Sequence, residues 1–410
     1  MNTDKTECDV LIVGGSFAAA ACAKRLTDAG MHAIILEKKA LPRHKICSGI
    51  LSPRGKRFLE ENFGTIPTEA LHEPHTCNGV VFHFPSLNQM KMDFIGGATP
   101  HLYRKYSDQW ALKQSGATIH DQCSFESFTE TSKGVEVSAQ DHKTNQKRSY
   151  SARWLVGADG PSSPVLRAVY GNSYKLAPMF FVGQKFHKII DCPLDPQYFH
   201  FWFHPELGKY VWSHARDGQQ IVGVGFEVGQ NFDQAHLKVK DYLEDKHGVK
   251  LEEATHEQSE GCMENFGPSL INQYVFGKGR VLLTGQAAGF LNMLAEGMSC
   301  ALHSGAIAGE SIVEANLKNK AVEAKYRELI HSEVKRCSDQ WNPLMIAFKN
   351  PHEANPKKEL AALGAPKALQ VLKEIWTFLK TYKDYKWGRQ MLKISLYRLI
   401  KGRYPESSWR

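Results

Sequence analysis

No C-x-x-C pair occurs among the nine cysteines, Cys8, Cys22, Cys47, Cys77, Cys123, Cys192, Cys262, Cys300 and Cys337. That spacing argues against a structural zinc site, a thioredoxin-type dithiol and a ferredoxin-type cluster, and no metal is expected. An odd, unpatterned set fits a reducing interior and predicts a cytoplasmic protein. No uncharged apolar run approaches the ~20 residues that a membrane span needs. The polar first residues lead straight into a strand, so no secretory leader is expected. Repeats and low-complexity tracts are also missing.

Over most of the chain there is no excess of charge of either sign. The net +8 of the 410 residues is accounted for by residues 366–410, with eleven Lys or Arg against three acids. The same segment holds Trp376, Phe378, Tyr382, Tyr385, Trp387, Tyr397, Tyr404 and Trp409. Basic residues beside aromatics suit a peripheral contact with an anionic membrane, at about 1 kcal/mol per basic residue near the surface. The alternative is helices that pack Leu369, Leu372, Trp376 and Leu379 on the body and leave the lysines in solvent. No nucleic-acid-binding motif accompanies the charge, so nucleic acid is not an expected partner.

What is present begins at the N-terminus. The strand-like run Cys8–Val13 enters Gly14-Gly15-Ser16-Phe17-Ala18-Ala19-Ala20, and a second strand ends on Glu37, followed by Lys38. A buried parallel strand, a glycine turn and a helix start together make a place for a pyrophosphate. Glu37 lies eighteen residues beyond Ala19, where a carboxylate can accept ribose hydroxyls. Against G-x-G-x-x-G the chain reads Gly14, Ser16, Ala19. Alanine is tolerated at the third position, whereas Ser16 brings a Cβ to where backbone should approach phosphate. A second box, Arg153-Trp154-Leu155-Val156-Gly157-Ala158-Asp159-Gly160, is followed by Ser163, Val165 and Arg167. A third, Gly279–Phe290, contains Thr284-Gly285-Gln286-Ala287-Ala288-Gly289 and leads to Ala295-Glu296-Gly297-Met298.

In this order the boxes resemble the FAD-binding domain of p-hydroxybenzoate hydroxylase-like flavoproteins. The resemblance implies that Gly14, Gly15, Ser16, Phe17 and Ala18 hold the pyrophosphate, with Glu37 at the ribose and Lys38 as a further cofactor contact. It places Asp159 and Gly160 near the flavin, and Gly285, Gln286, Ala287 and Gly289 at the ribityl chain and pyrimidine edge. The amides of Gly297 and Met298 then face the flavin N1–C2=O edge. Gln286 stands where the family has an aspartate. A neutral hydrogen bond is worth roughly half a charge-assisted one, so Ser16 and Gln286 predict looser FAD binding.

Three further stretches resemble geranylgeranyl reductases. His44–Gly55 is similar to their Lys-x-Cys-Gly-Gly-x-Leu-Ser-Pro segment, with Ser48 for a glycine. Gly208–Trp212 with Val222-Gly223-Val224-Gly225 is similar to their Gly-Tyr-x-Trp-x-Phe-Pro … Gly-x-Gly strands, with His214 and Ala215 at Phe-Pro. Leu102–Trp110 is similar to their Arg-x-x-Phe-Asp helix start. The resemblance covers roughly residues 8–315 and adds Arg43, Cys47, Ser48 and Arg104 to the expected cofactor contacts. It implies reduction of prenyl double bonds in a hydrophobic or lipid substrate, with NADPH or NADH as possible donor. Cys47 is the expected acid, or a thiol that positions the alkene, while Tyr210 and Trp212 line the substrate slot with Phe199–Phe203. His44, His200, His204 and His214 are further possible acids.

The expected fold is α/β: a Rossmann-like FAD-binding domain in three pieces (1–76, 101–174, 276–330) with an inserted antiparallel β-sheet substrate domain (77–100, 175–275). A helical, basic region (331–410) follows. Competing readings are a monooxygenase or halogenase on the same scaffold, although the halogenase W-x-W-x-I-P motif is missing, and a degenerate flavin-binding interaction protein.

Overall fold

The computed structural model describes residues 5–83, 89–171, 179–202, 204, 207, 210–226, 229–254, 259–265, 274–292, 295–318, 321–340, 364–366 and 369. Nearly all of the basic tail and Phe203 lie outside the described residues.

Two sheets organise the molecule. The first is built on Thr6–Val13, which pairs in parallel with Gln146–Gly157 on one side and Ala33–Glu37 on the other. Val281–Leu283 and Thr118–Asp121 extend it in parallel at the two flanks. Val10, Leu11, Ile12, Ile34, Ile35, Leu155 and Val156 are all buried, as strands covered on both faces must be. A ribbon of Cys123–Glu130 and Val135–Asp141 adds antiparallel to the start of Gln146–Gly157.

Helix Phe17–Asp28 follows the first strand and lies against Met298–Lys318. Alanines make the close approach possible on one side and glycines on the other. A Cβ on Gly305 would lie 2.2 Å from the Ala18 carbonyl oxygen, and one on Gly309 would lie 2.6 Å from that of Cys22. Helix Pro53–Phe63, capped by Ser52, joins this layer, and Arg54 makes a two-point pair with the buried Glu333 of His331–Gln340.

The second sheet runs Lys250–Leu251, Met179–Asp191, Gln219–Phe226, Tyr210–Arg216, Tyr198–Trp202, Gly79–His83, Met90–Asp93, with Ser259–Asn265 also paired to Met179–Asp191. It is antiparallel except that Gly79–His83 joins Tyr198–Trp202 in parallel. Those two strands come from segments separated by the first sheet's second excursion, so no hairpin fixes their direction. On one face Trp202, Val211, Val222 and Val224 pack on Val239 and Leu243 of helix Phe232–His247. The opposite face, set by strand alternation, carries Phe199, Trp212, His214, Arg216, Gln184, Cys262 and Glu264 toward the first sheet's loops.

Candidate functional site

The C-terminal ends of the central parallel strands meet in one place. Gly14, at φ +104°, donates its N–H to the Leu36 carbonyl at 2.8 Å, and a Cβ there would fall 2.4 Å from the Ala158 oxygen. Thr284 donates its N–H to Gly157 at 2.9 Å, and a Cβ on Gly285 would touch that of Ala18 at 3.2 Å. The first, second and third boxes are therefore adjacent.

No side chain caps the helix that starts after Ser16, so its first amides are left for an anion. The Ser16 hydroxyl instead donates to Asp108 Oδ2 at 3.2 Å and accepts from Arg104 Nη2 at 2.9 Å. Asp108, 0% exposed, also holds Arg104 through Nε at 2.9 Å and Arg43 through Nη1 at 3.1 Å. Burial opposes its charge, but Arg104, Arg43 and Lys45 keep its carboxyl below the ordinary carboxylate value. Lys45 approaches Ser16 Oγ at 3.5 Å. The side chain is exposed at the rim of the site, yet crowding by the surrounding protein, aided by Arg104, pushes the ammonium down to about 8 against the pull of Asp108.

Glu37 does something other than wait for a ribose. Its Oε2 accepts from the Gly15 N–H at 2.9 Å and Arg43 Nε at 3.0 Å, and its Oε1 accepts from the Lys39 N–H at 2.9 Å. The carboxylate braces the glycine turn, and a ribose hydroxyl must share it with these donors. Lys38 follows on the surface. Phe17 is fully buried beneath the Arg104 guanidinium, 4.9 Å from its ring centroid, so only its backbone can meet a ligand. The same holds for Ala18, Ala287 and Met298, whose side chains are core.

In the second box, Asp159 accepts the Val165 N–H on Oδ2 at 3.1 Å, while its buried Oδ1 has no hydrogen-bond partner. Burial pushes this carboxyl up to about 6. Gly160, at φ +83°, has nothing within 4 Å of where a Cβ would stand. In the third box, the Gly289 N–H closes the turn onto Gln286 O at 3.0 Å. Gly297 lies beside the Gln286 amide, with 3.3 Å between a Gly297 Cβ and Nε2. Glu296 caps the following helix by accepting the Ser299 N–H at 2.8 Å.

The residues expected at the substrate lie along the seam of the two sheets. Cys47 is half-buried: its thiol neighbours Arg104 and accepts the Gly49 N–H at 3.4 Å, and its carbonyl accepts Arg216 Nη1 at 2.9 Å. The Ser48 carbonyl faces His101 Nε2 at 2.9 Å. Trp212 lies flat on Gly223, where a Cβ would be 2.0 Å from the indole, and its buried Nε1 has no hydrogen-bond partner. Tyr210 opens the same strand, but its side chain is outside the described residues. Among the histidines, His214 packs on Phe199 and His101, and burial lowers its pKa well below the ordinary value. His44 pairs with Glu260 at 2.7 Å. His200 is turned to His83 at 3.1 Å and the Asp195 carbonyl, among aromatics on another part of the sheet. His204 rests on the Tyr242 ring.

Sequence reasoning missed Asp108, Lys45, Arg216 and Glu264. Asp108 stands four residues after Arg104, the helical pairing distance, and was legible in principle. Glu264 accepts from Gln286 Nε2 and from the Cys262 thiol, and only the strand register places it there. Among the described residues, Cys300, Glu333 and Cys337 form a buried group with metal-ligating atoms, the two sulfurs 3.4 Å apart, but Arg54 already holds the carboxylate.

An uncapped helix start among cations, an orphaned carboxylate oxygen and an open glycine turn fit a ligand carrying both phosphates and hydroxyls. The FAD binding domain family matches residues 7–293. The chain belongs to this family. This flavoprotein is 26% identical to the protein CbrA of Escherichia coli O9:H4 (strain HS) over 315 residues, spanning 73% of this chain and 80% of that one. Its fold is similar to that of a geranylgeranyl bacteriochlorophyll reductase-like protein from Thermoplasma acidophilum, with TM-score 0.69, 16% identity and coverage of 93% and 99%. It is also similar to the myxobacterial chondrochloren halogenase CndH, with TM-score 0.68, 15% identity and coverage of 98% and 99%. The flavoprotein is thus of the FAD-dependent oxidoreductase and monooxygenase type. Among its described residues no helix is long and apolar enough to cross a membrane.

Proposed function

We propose that this flavoprotein reduces carbon–carbon double bonds in a hydrophobic, prenyl-type substrate, with NADPH or NADH as the source of electrons. When bound, FAD supplies the hydride. Ser16, Lys45 and Arg104 bind and orient its diphosphate at the helix start, and the orphaned Asp159 Oδ1 accepts from a hydroxyl.

The observation that carries the reading is the position of Cys47. Its segment is gripped from the substrate sheet by Arg216 and from the strand Thr99–Leu102 by His101, directly beside Arg104 and the first box. An isolated alkene is unpolarised, so hydride delivery to one carbon requires a proton at the other. Cys47 Sγ–H holds such a proton at the seam, and solvent restores it after turnover. Phe199 and Trp212 on the facing sheet exclude water from the alkene. A peripheral contact of residues 366–410 with an anionic membrane would bring the protein to a lipid substrate.

A second reading, oxygen chemistry, is favoured by the equal likeness to a halogenase. Mass spectrometry of lipids from cells with and without the protein separates the two readings. Reduction adds two hydrogens per bond, and oxygenation adds one oxygen atom. With a substrate so identified, Cys47→Ala is expected to keep the flavin absorbance and lower alkene reduction at least about tenfold. Unchanged turnover removes Cys47 from the mechanism.

A further inference from the structure

We propose that Glu264 is a positioning residue for the cofactor: reaching across from the substrate-binding sheet, it fixes the orientation of the Gln286 amide and so restores an acceptor to the third FAD box. Gln286 carries no charge, and an amide on its own can present either its oxygen or its NH2 to a ligand. Glu264 removes the ambiguity. Its Oε2 accepts from Gln286 Nε2, which commits the NH2 limb to the carboxyl and leaves Oε1 as the acceptor on the opposite limb. The register that pairs Val182 with Cys262 puts Cys262 and Glu264 on the sheet face turned toward the first sheet's loops. The Cys262 thiol in turn points at Glu264 Oε1 at 3.5 Å, so both carboxyl oxygens are engaged.

The titratable neighbours of the pair belong to the cofactor cradle or to the same strand. Lys45 and Arg104 face Glu264 from the first sheet's side and Cys262 from its own strand. Burial raises the Glu264 carboxyl above its ordinary value, with Lys45 as the main opposing influence. The pair also spans the seam: one partner is in the second sheet and the other is in the loop after Val281–Leu283. The bond therefore ties the FAD box directly to the second sheet.

The test is FAD affinity, read by flavin fluorescence quenching on the full chain, in a cycle of volume-conserving variants. Glu264→Gln leaves two amides that can orient each other either way, and FAD affinity is expected to fall about tenfold. Gln286→Glu places two carboxyls together, which cannot both ionise cheaply. Its affinity is expected to fall as pH rises and the shared proton is lost. The double exchange, Glu264→Gln with Gln286→Glu, recreates a carboxyl–amide pair with the acceptor in the box, and is expected to recover most of the wild-type affinity. A merely structural glutamate would not be rescued by an exchange at position 286. Apo thermal melting of each variant shows whether the frame itself is intact. The proposal is overturned if Glu264→Gln binds FAD as the wild type does, or if the double exchange is no better than that single variant. Substrate identity does not enter these measurements, so they stand or fall separately from the alkene chemistry.

Discussion

Replacing Asp108 by Asn would leave Arg43 and Arg104 beside a neutral amide in a buried site. Removing one partner from a buried ion cluster typically costs about 3–5 kcal/mol. The apo D108N protein is therefore expected to melt well below wild type, and FAD should recover part of the difference because its diphosphate gives the arginines a new partner. A melting temperature equal to wild type in the apo state would contradict this account of the cluster. Lys45 gives a signed pH dependence. Its folded pKa of about 8 lies below its ordinary 10.5, so the unfolded chain binds more protons between these values; because the side chain is solvent-exposed, the apo protein gains only a little stability as pH rises through that window. FAD binding needs the charged form, so affinity falls over the same range. Calorimetry and FAD titration should show both trends in wild type, and both should vanish in Lys45→Met. At this scale the sequence singled out Ser16, Cys47 and Arg104 because they sit in recognisable local patterns, and the structure brings the three together. Asp108 shows its pairing with Arg104 in the four-residue spacing, but its hold on Arg43 and Ser16 appears only once those two segments are placed.

Helix Phe17–Asp28 is held against Met298–Lys318 by a seam of small residues in which Gly305 and Gly309 meet the backbone of Ala18 and Cys22. Gly305→Val forces the helices apart, at about 1–3 kcal/mol. Since Ala18 also supports Gly285, the same change should weaken FAD binding, measured as a lower melting temperature together with a higher dissociation constant. A loss of stability with FAD affinity untouched would uncouple the seam from the cofactor site. The parallel strands and box turns could be read from sequence because an apolar run that ends in glycine is what a buried strand entering a tight turn requires. The glycine seam could not, because a glycine inside a helix shows its purpose only against its neighbour. The parallel pairing of Gly79–His83 with Tyr198–Trp202 was equally hidden, being decided by a contact between distant segments.

Across the whole molecule, the seam between the sheets is closed by polar contacts: Arg216 on Cys47, His44 on Glu260, and Glu264 on Gln286. The alternation of the strands was visible in the sequence, but which face meets the flavin loops depends on register, and so Glu264 escaped notice. The basic tail makes a separate expectation. Deleting residues 366–410 should leave FAD binding intact and reduce sedimentation with anionic vesicles, an effect that salt should mimic in the full chain. Equal vesicle binding with and without the tail would remove the membrane from the proposal.

Arg43 and Arg104 are matched in charge by Asp108 and Glu37 from within the protein. A frame whose charges are met internally is expected to form without the vitamin-derived pigment, with colour added afterwards. In a cell short of riboflavin, such chains would persist as a colourless reserve, ready to be loaded when supply returns.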